Sequence, residues 1–193
     1  MKRAIPIIPT LVVLLAVAVM MRLGFWQIDR LHQKEALLAR YASAAGLSAD
    51  VPFPADKIAA ETVLYRHSTV DCTAVNELSV IAGQNDKGEP GMAHTARCTL
   101  PGGGSALVVI GWSRDPAAPD WHGGTVKGTV APGPRLVADP PLAGLAPNAR
   151  PDPAELPNNH FAYAVQWFLF ALTALVIYAL ALRKRLAAAQ ERR

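Results

Sequence analysis

Pro157-Asn158-Asn159-His160-Phe161-Ala162-Tyr163-Ala164-Val165-Gln166-Trp167-Phe168 runs without a break into an apolar stretch that ends at Leu182. Between Phe161 and Leu182 there is one amide, one threonine and no charge. As a helix rising ~1.5 Å per residue, that stretch is about 33 Å long, enough to cross a hydrocarbon core of about 30 Å. Pro157 stops whatever precedes it, and Asn158 or Asn159 supplies a cap for the first turn. Residues 158–182 therefore read as a transmembrane helix with His160 at its entry. Tyr163, Ala164 and Trp167 follow at spacings of three, four and seven, so they fall on the side of the helix that carries His160.

A histidine at a membrane boundary has two readings. One is an interfacial residue bonded to a headgroup or a loop carbonyl, with Tyr163 and Trp167 as the aromatic belt of an ordinary span. The other is a metal or haem ligand. The positive end of the helix dipole disfavours imidazolium and leaves the ring neutral and able to coordinate iron. Small Ala164 beside the two aromatic rings would suit a flat apolar ligand.

Working outward, a second apolar run lies at the other end. Met1-Lys2-Arg3 precedes Ile5 to Met21, interrupted by Pro6, Pro9 and Thr10. A cleaved signal peptide competes for this segment, since Ala16-Val17-Ala18 resembles a cleavage site. Apolar character continues to Phe25 and Trp26, which favours an uncleaved span over residues 1–24. Basic residues flank the outer ends of both runs: Lys2 and Arg3 before the first, and Arg183, Lys184, Arg185, Arg192 and Arg193 in a tail over residues 183–193. The positive-inside rule then puts both termini in the cytoplasm of a multi-pass protein of the bacterial inner membrane, with the central domain in the periplasm. Residues 25–160 hold 11 Lys+Arg and 14 Asp+Glu, a net −3, so the overall charge of +4 comes from the flanks. No basic patch lies in the folded region, which speaks against nucleic acid and for the lipid bilayer as a partner.

Residues 25–45 read as a juxtamembrane helix continuing the first span, with good helix formers and no proline. Arg30 and Lys34 are four apart and form a cationic stripe. They serve either as a snorkelling, solvated face or as partners for anionic groups such as lipid phosphates or haem propionates.

Residues 46–131 combine a linker, Ala42 to Ala60, with strand-like pieces: Val63 to Thr73, Leu78 to Gln84, Met92 to Leu100, Ala106 to Arg114 and Gly124 to Ala131. Asn85-Asp86-Lys87-Gly88 and Pro101-Gly102-Gly103-Gly104 mark turns between them. The fold class that follows is a membrane protein in which two transmembrane helices flank a small antiparallel β-rich (α+β) domain. Residues 132–157 are proline-rich and read as an irregular return to the membrane.

Cys72 and Cys98 are the only cysteines. An even count outside the cytoplasm favours a disulfide. In a simple meander, however, one strand separates them, and two strand spacings of about 4.8 Å exceed the usual reach of roughly 7 Å. The pairing stays open. A copper site with His67 or His94 matches no compact motif. There is no C-x-x-C, phosphate loop, paired-carboxylate pattern or G-x-S-x-G, and nothing calls for an enzyme.

Three stretches together resemble a known family. Leu23-Gly24-Phe25-Trp26-Gln27-Ile28-Asp29-Arg30-Leu31-His32-Gln33-Lys34 is similar to its L-G-x-W-Q-x-x-R-L-x-x-K signature. Gly111-Trp112 resembles its R-G-W strand end, with Ile110 in place of the arginine. Asn158 to Phe168 is similar to its N-N-H-x-x-Y-A-x-Q-W-F entry to the second span. The chain thus resembles the Surfeit-locus protein one family, assembly factors of haem–copper cytochrome c oxidase. The resemblance implies a non-enzymatic role, holding haem a for insertion into the oxidase catalytic subunit alongside other assembly factors. His160 would be the iron ligand, Tyr163 and Trp167 pocket residues, and Arg30 and Lys34 partners for propionates. The rival is a haem-free membrane scaffold that stabilises an oxidase assembly intermediate. A generic two-span sensor comes third.

Overall fold

A computed structural model describes residues 6–54 and 56–191. Lys2, Arg3, Arg192 and Arg193, used above for orientation, lie outside the described residues. The chain divides into two compact units, residues 1–37 with 157–193 and residues 38–156.

The first unit is built from two long helices. Helix α1 runs Ile7–Ala45, so the first span and the juxtamembrane segment are one uninterrupted helix. Helix α3 runs His160–Glu191, and its basic end stays helical past the apolar stretch instead of forming a separate tail. Both are long and apolar enough to cross a membrane.

The second unit is a six-stranded sheet. Its strands are β1 (His67–Cys72), β2 (Ala74–Gln84), β3 (Pro90–Thr99), β4 (Ser105–Ser113), β5 (Gly124–Ala131) and β6 (Arg135–Ala138). Their order across the sheet is β1-β5-β6-β4-β3-β2. Four neighbouring pairs are antiparallel, while β4 and β6 run parallel, so the sheet is mixed. The expected meander does not form, because β1 and β2 do not pair. The chain turns a corner at Thr73, whose N–H and hydroxyl both donate to the Thr99 carbonyl at 3.0 Å.

That corner closes the sheet on itself. Along a flat sheet β1 and β3 would be four strand spacings apart, about 19 Å. The Cα atoms of Cys72 in β1 and Cys98 in β3 are instead 5.1 Å apart and joined by a disulfide. The sheet is therefore strongly curled, as closure into a barrel-like wall requires. Its inner face carries one continuous core, including Val70, Val108, Ile110, Val126, Val130 and Leu136, with contributions from all strands but β2 among the fully buried residues.

Two segments depart from expectation. Inside the predicted linker and the first predicted strand lies a short helix, α2, Lys57–Val63. Asp56 explains it, since its carboxylate accepts the Ala59 N–H at 2.8 Å and caps good helix formers. Within the proline-rich return, β6 slots between β4 and β5. Leu136 and Val137 are bordered by Gly133 and Pro134 rather than interrupted by proline, and their alternation buries Leu136 in the core. β2 also begins four residues before the predicted Leu78.

The two expected turns are present. Asn85 Oδ1 accepts the N–H groups of Lys87 and Glu89, and Gly88 takes the positive φ of 77° that closes the hairpin.

Candidate functional site

In the helical unit, α1 and α3 share one face each. On α1 the more covered positions recur every three or four residues through Thr10, Val13, Val17, Met20, Gly24 and Gln27. On α3 they are His160, Ala164, Phe168, Ala171, Ala174 and Tyr178. This is the 3–4 spacing of an antiparallel helix pair. Small residues line it, as membrane helices need where lipid offers no hydrophobic drive for association. Ala164 and Ala171 are each 2% exposed. A side chain on Gly24 would collide with the ring of Phe168, and that ring stands edge-on to Phe25 at 5.4 Å.

Two polar contacts fix the register. The hydroxyls of Thr10 and Tyr178 hydrogen-bond to each other. Nearer the sequence ends of the central domain, His160 Nδ1 lies 2.7 Å from Gln27 Oε1. An amide oxygen accepts, so the imidazole donates from Nδ1, and its Nε2 is left for another partner. No protein partner is recorded for Nε2 among the described residues. A neutral ring held at one nitrogen and open at the other is the usual state of a metal-binding histidine, with the second bond fixing tautomer and orientation.

The remaining predicted residues are distributed unevenly. Trp167 is half-buried and packs edge-on against Phe170 at 6.1 Å. Tyr163 is 50% exposed and turns away from the helix seam. Lys34 is half-buried, one heptad step beyond Gln27 along the row of α1 that includes Leu31. Arg30 is exposed and engaged elsewhere, donating to Gln33 Oε1 at 3.0 Å and lying 5.7 Å over the Trp26 ring. Gln27 was not singled out from the sequence. The signal was present: it sits in the Trp26-Gln27 pair of the first motif, but nothing local connects it to a histidine 133 residues away.

The sheet unit absorbs the other candidates into structure. Cys72 and Cys98 are bonded to each other, so neither thiolate is free for copper. His94 is 1% exposed and its Nε2 lies 2.8 Å from Ser113 Oγ and 3.1 Å from the Asp115 carbonyl. Among the described residues no group of three or more His, Cys, Asp or Glu side chains could hold a metal ion. Gly111-Trp112 fastens the return segment to β4. Trp112 exchanges backbone hydrogen bonds with Ala146 at 2.8 and 2.9 Å, Gly111 leaves room for Leu145, and the indole lies on Gly91.

Two helices long and apolar enough to cross a membrane, at either end of a chain whose middle forms a curled mixed sheet, define a membrane protein with a small β-rich domain. More narrowly, the chain belongs to the SURF1 family, whose profile matches residues 14–172. That match covers most of the chain, and the family is associated with cytochrome c oxidase assembly and is not a known enzyme family. No curated protein sequence matches the chain at a significant level.

Proposed function

We propose that this protein serves cytochrome c oxidase assembly by holding haem a, with His160 Nε2 as iron ligand and Gln27 as the residue that orients the ring. The supporting observation is the His160–Gln27 hydrogen bond, which leaves one imidazole nitrogen free at the end of a helix seam lined with small residues. Bound there, haem a would supply the redox-active iron that the oxidase catalytic subunit receives. The chain's own part is to present a donor nitrogen; Trp167 would line the pocket and Lys34 would pair with the propionates. On this reading both termini are cytoplasmic, the sheet lies in the periplasm, and the membrane is the bacterial inner membrane.

A second reading, a haem-free scaffold docking on an assembly intermediate of the catalytic subunit, draws support from Tyr163 and Arg30. Tyr163 turns away from the seam and Arg30 is exposed beyond the first span, as residues meeting a partner would be. The absorption spectrum separates the two. Protein purified from cells that make haem a should retain it in wild type, lose it in His160→Ala, and hold it more weakly with a shifted Soret band in Gln27→Leu. Colourless wild-type protein that still co-purifies the oxidase subunit would leave the scaffold standing alone.

A further inference from the structure

Arg22 is the only charged residue between Ile7 and Ile28, and α3 has no charge between Phe161 and Leu182. The seam contacts hold the two spans at a common depth, Thr10 with Tyr178 toward one boundary and Gln27 with His160 at the other. Arg22 lies five residues short of Gln27. At ~1.5 Å per residue that is about 8 Å inside the apolar slab. Arginine keeps its charge there. A charged side chain at membrane depth is costly, and such residues almost always face a protein partner or water.

Arg22 faces neither within its own chain. Met20 and Gly24 of the seam lie two residues to either side of it. At about 100° per residue, Arg22 falls on the face of α1 opposite α3. On that face Leu11, Leu15, Ala18, Arg22, Phe25 and Asp29 recur at alternating steps of four and three residues, and all six are exposed. Those steps are the spacing of a second helix-packing seam. Among the described residues none forms an ion pair with Arg22 or Asp29. The ring of Trp26, one turn on, lies under Arg30 at 5.7 Å.

A lipid phosphate is a poor substitute. The Cα–Cβ bond of a helical residue tilts toward the helix N-terminus. For Arg22 that direction leads deeper into the slab and over Ala18, away from the boundary near Gln27. To snorkel to that boundary the side chain must bend back past Phe25 and Trp26, which occupy the next turn on the same side. A carboxylate on a neighbouring helix meets the guanidinium where it already points, and the small Ala18 lets that helix come close.

We propose that this face of α1 docks a transmembrane helix of another membrane protein, one that carries an aspartate or glutamate about 8 Å below the boundary, opposite Arg22. The arginine–carboxylate pair fixes the depth of the partner as well as holding it. Leu11 and Leu15 supply the packing deeper in the slab. Asp29, two turns nearer to water, is placed to take a lysine or arginine of the same partner. A second copy of this chain inserted the same way does not fit, because it sets Arg22 against Arg22. The face lies away from His160, so the inference stands whether or not haem is held.

The test uses full-length protein carrying a donor fluorophore in phosphatidylcholine vesicles, with acceptor-labelled leucine–alanine transmembrane peptides as the probe. One peptide has a glutamate five residues inside one end of its span, one has leucine there, and one has the glutamate at the midplane. Energy transfer should show the first associating about tenfold more tightly than the other two, the worth of a polar contact between membrane helices. Arg22→Leu should remove that preference. The substitution makes the span more apolar and leaves the α3 seam untouched, so insertion and the unfolding temperature of the sheet should match wild type. Arg22→Glu should reverse the preference toward a peptide with arginine at the shallow position, and this swap decides the matter should Arg22→Leu not insert. Three outcomes would each overturn the proposal. One is equal association of the three peptides with wild type, and another is a preference that survives Arg22→Leu. The third is loss of the preference when phosphatidylglycerol is added to the vesicles, which would assign the guanidinium to lipid phosphate.

Discussion

The helix pair and the curled sheet are held together by opposite means. In the sheet unit cohesion is spread over a wide apolar core, six hydrogen-bonded strands and a covalent bridge. In the helical unit most large apolar side chains are exposed, among them Leu11, Leu15, Phe161, Leu172 and Ile177. Cohesion there falls to a few seam positions: Gly24 under Phe168, two buried alanines, and two polar contacts. Water drives burial in the first case. Lipid does not distinguish helix–helix from helix–lipid contact in the second, so close fit and hydrogen bonds must decide. A dispersed core tolerates small changes, whereas a seam of this kind depends on single residues.

The disulfide offers the largest expected break in that contrast. Cys72→Ser with Cys98→Ser releases a crosslink between residues 26 apart in sequence. On the chain-entropy account that costs about 3.5 kcal/mol. Hydrogen exchange should show the loss across the amides of β1 and β5 and leave α1 and α3 unchanged. An equal loss in the helices would show that the two regions unfold as one and would end the distinction.

A smaller effect, confined to the other region, is expected from Gly24→Leu. The added side chain meets Phe168, and overpacking of this kind costs about 1–3 kcal/mol. A pair of spectroscopic labels in the first turn of α1 and the last turns of α3 should report separation or a register shift, with sheet exchange rates untouched. Labels that do not move would mean the seam is less demanding than its spacing implies.

The smallest effect is a pH dependence in the sheet unit. Tyr65 is 2% exposed, packs 5.1 Å from Tyr41, and has its phenol pKa raised above the ordinary value near 10, first by burial and then by Tyr41, Asp152 and Glu155. The folded state therefore keeps this proton when the unfolded chain begins to lose it. Its contribution to stability is complete below pH 10 and is lost as pH rises from there through the folded pKa. Tyr65→Phe should flatten stability against pH above 10 and leave it unaltered at pH 7. A slope that persists in the variant would assign it to another phenol.

Much of the architecture was legible because its signals are local. Apolar length identified both long helices, the Asn85–Gly88 and Pro101–Gly104 turns were set by their own residues, and the runs before Gly111 and around Val126 read as strands. What escaped was short or non-local. The seven-residue helix α2 turns on a single cap, Asp56. β6 is four residues long within a proline-rich stretch, and its place between β4 and β5 depends on a gap that only the other strands create.

The site divides the same way. That a histidine opens the second long helix, with tyrosine and tryptophan one and two turns on, is written in the chain. That its Nδ1 meets Gln27, that Tyr163 turns outward while Ala164 turns in, and that Cys72 reaches Cys98 around a closed sheet are decided by packing. Helix formation needs only neighbours a turn away, so periodicity announces it. Which strand ends come within bonding distance depends on residues 26 positions apart, and which helix faces meet on residues more than a hundred apart, so no short window along the chain contains them together.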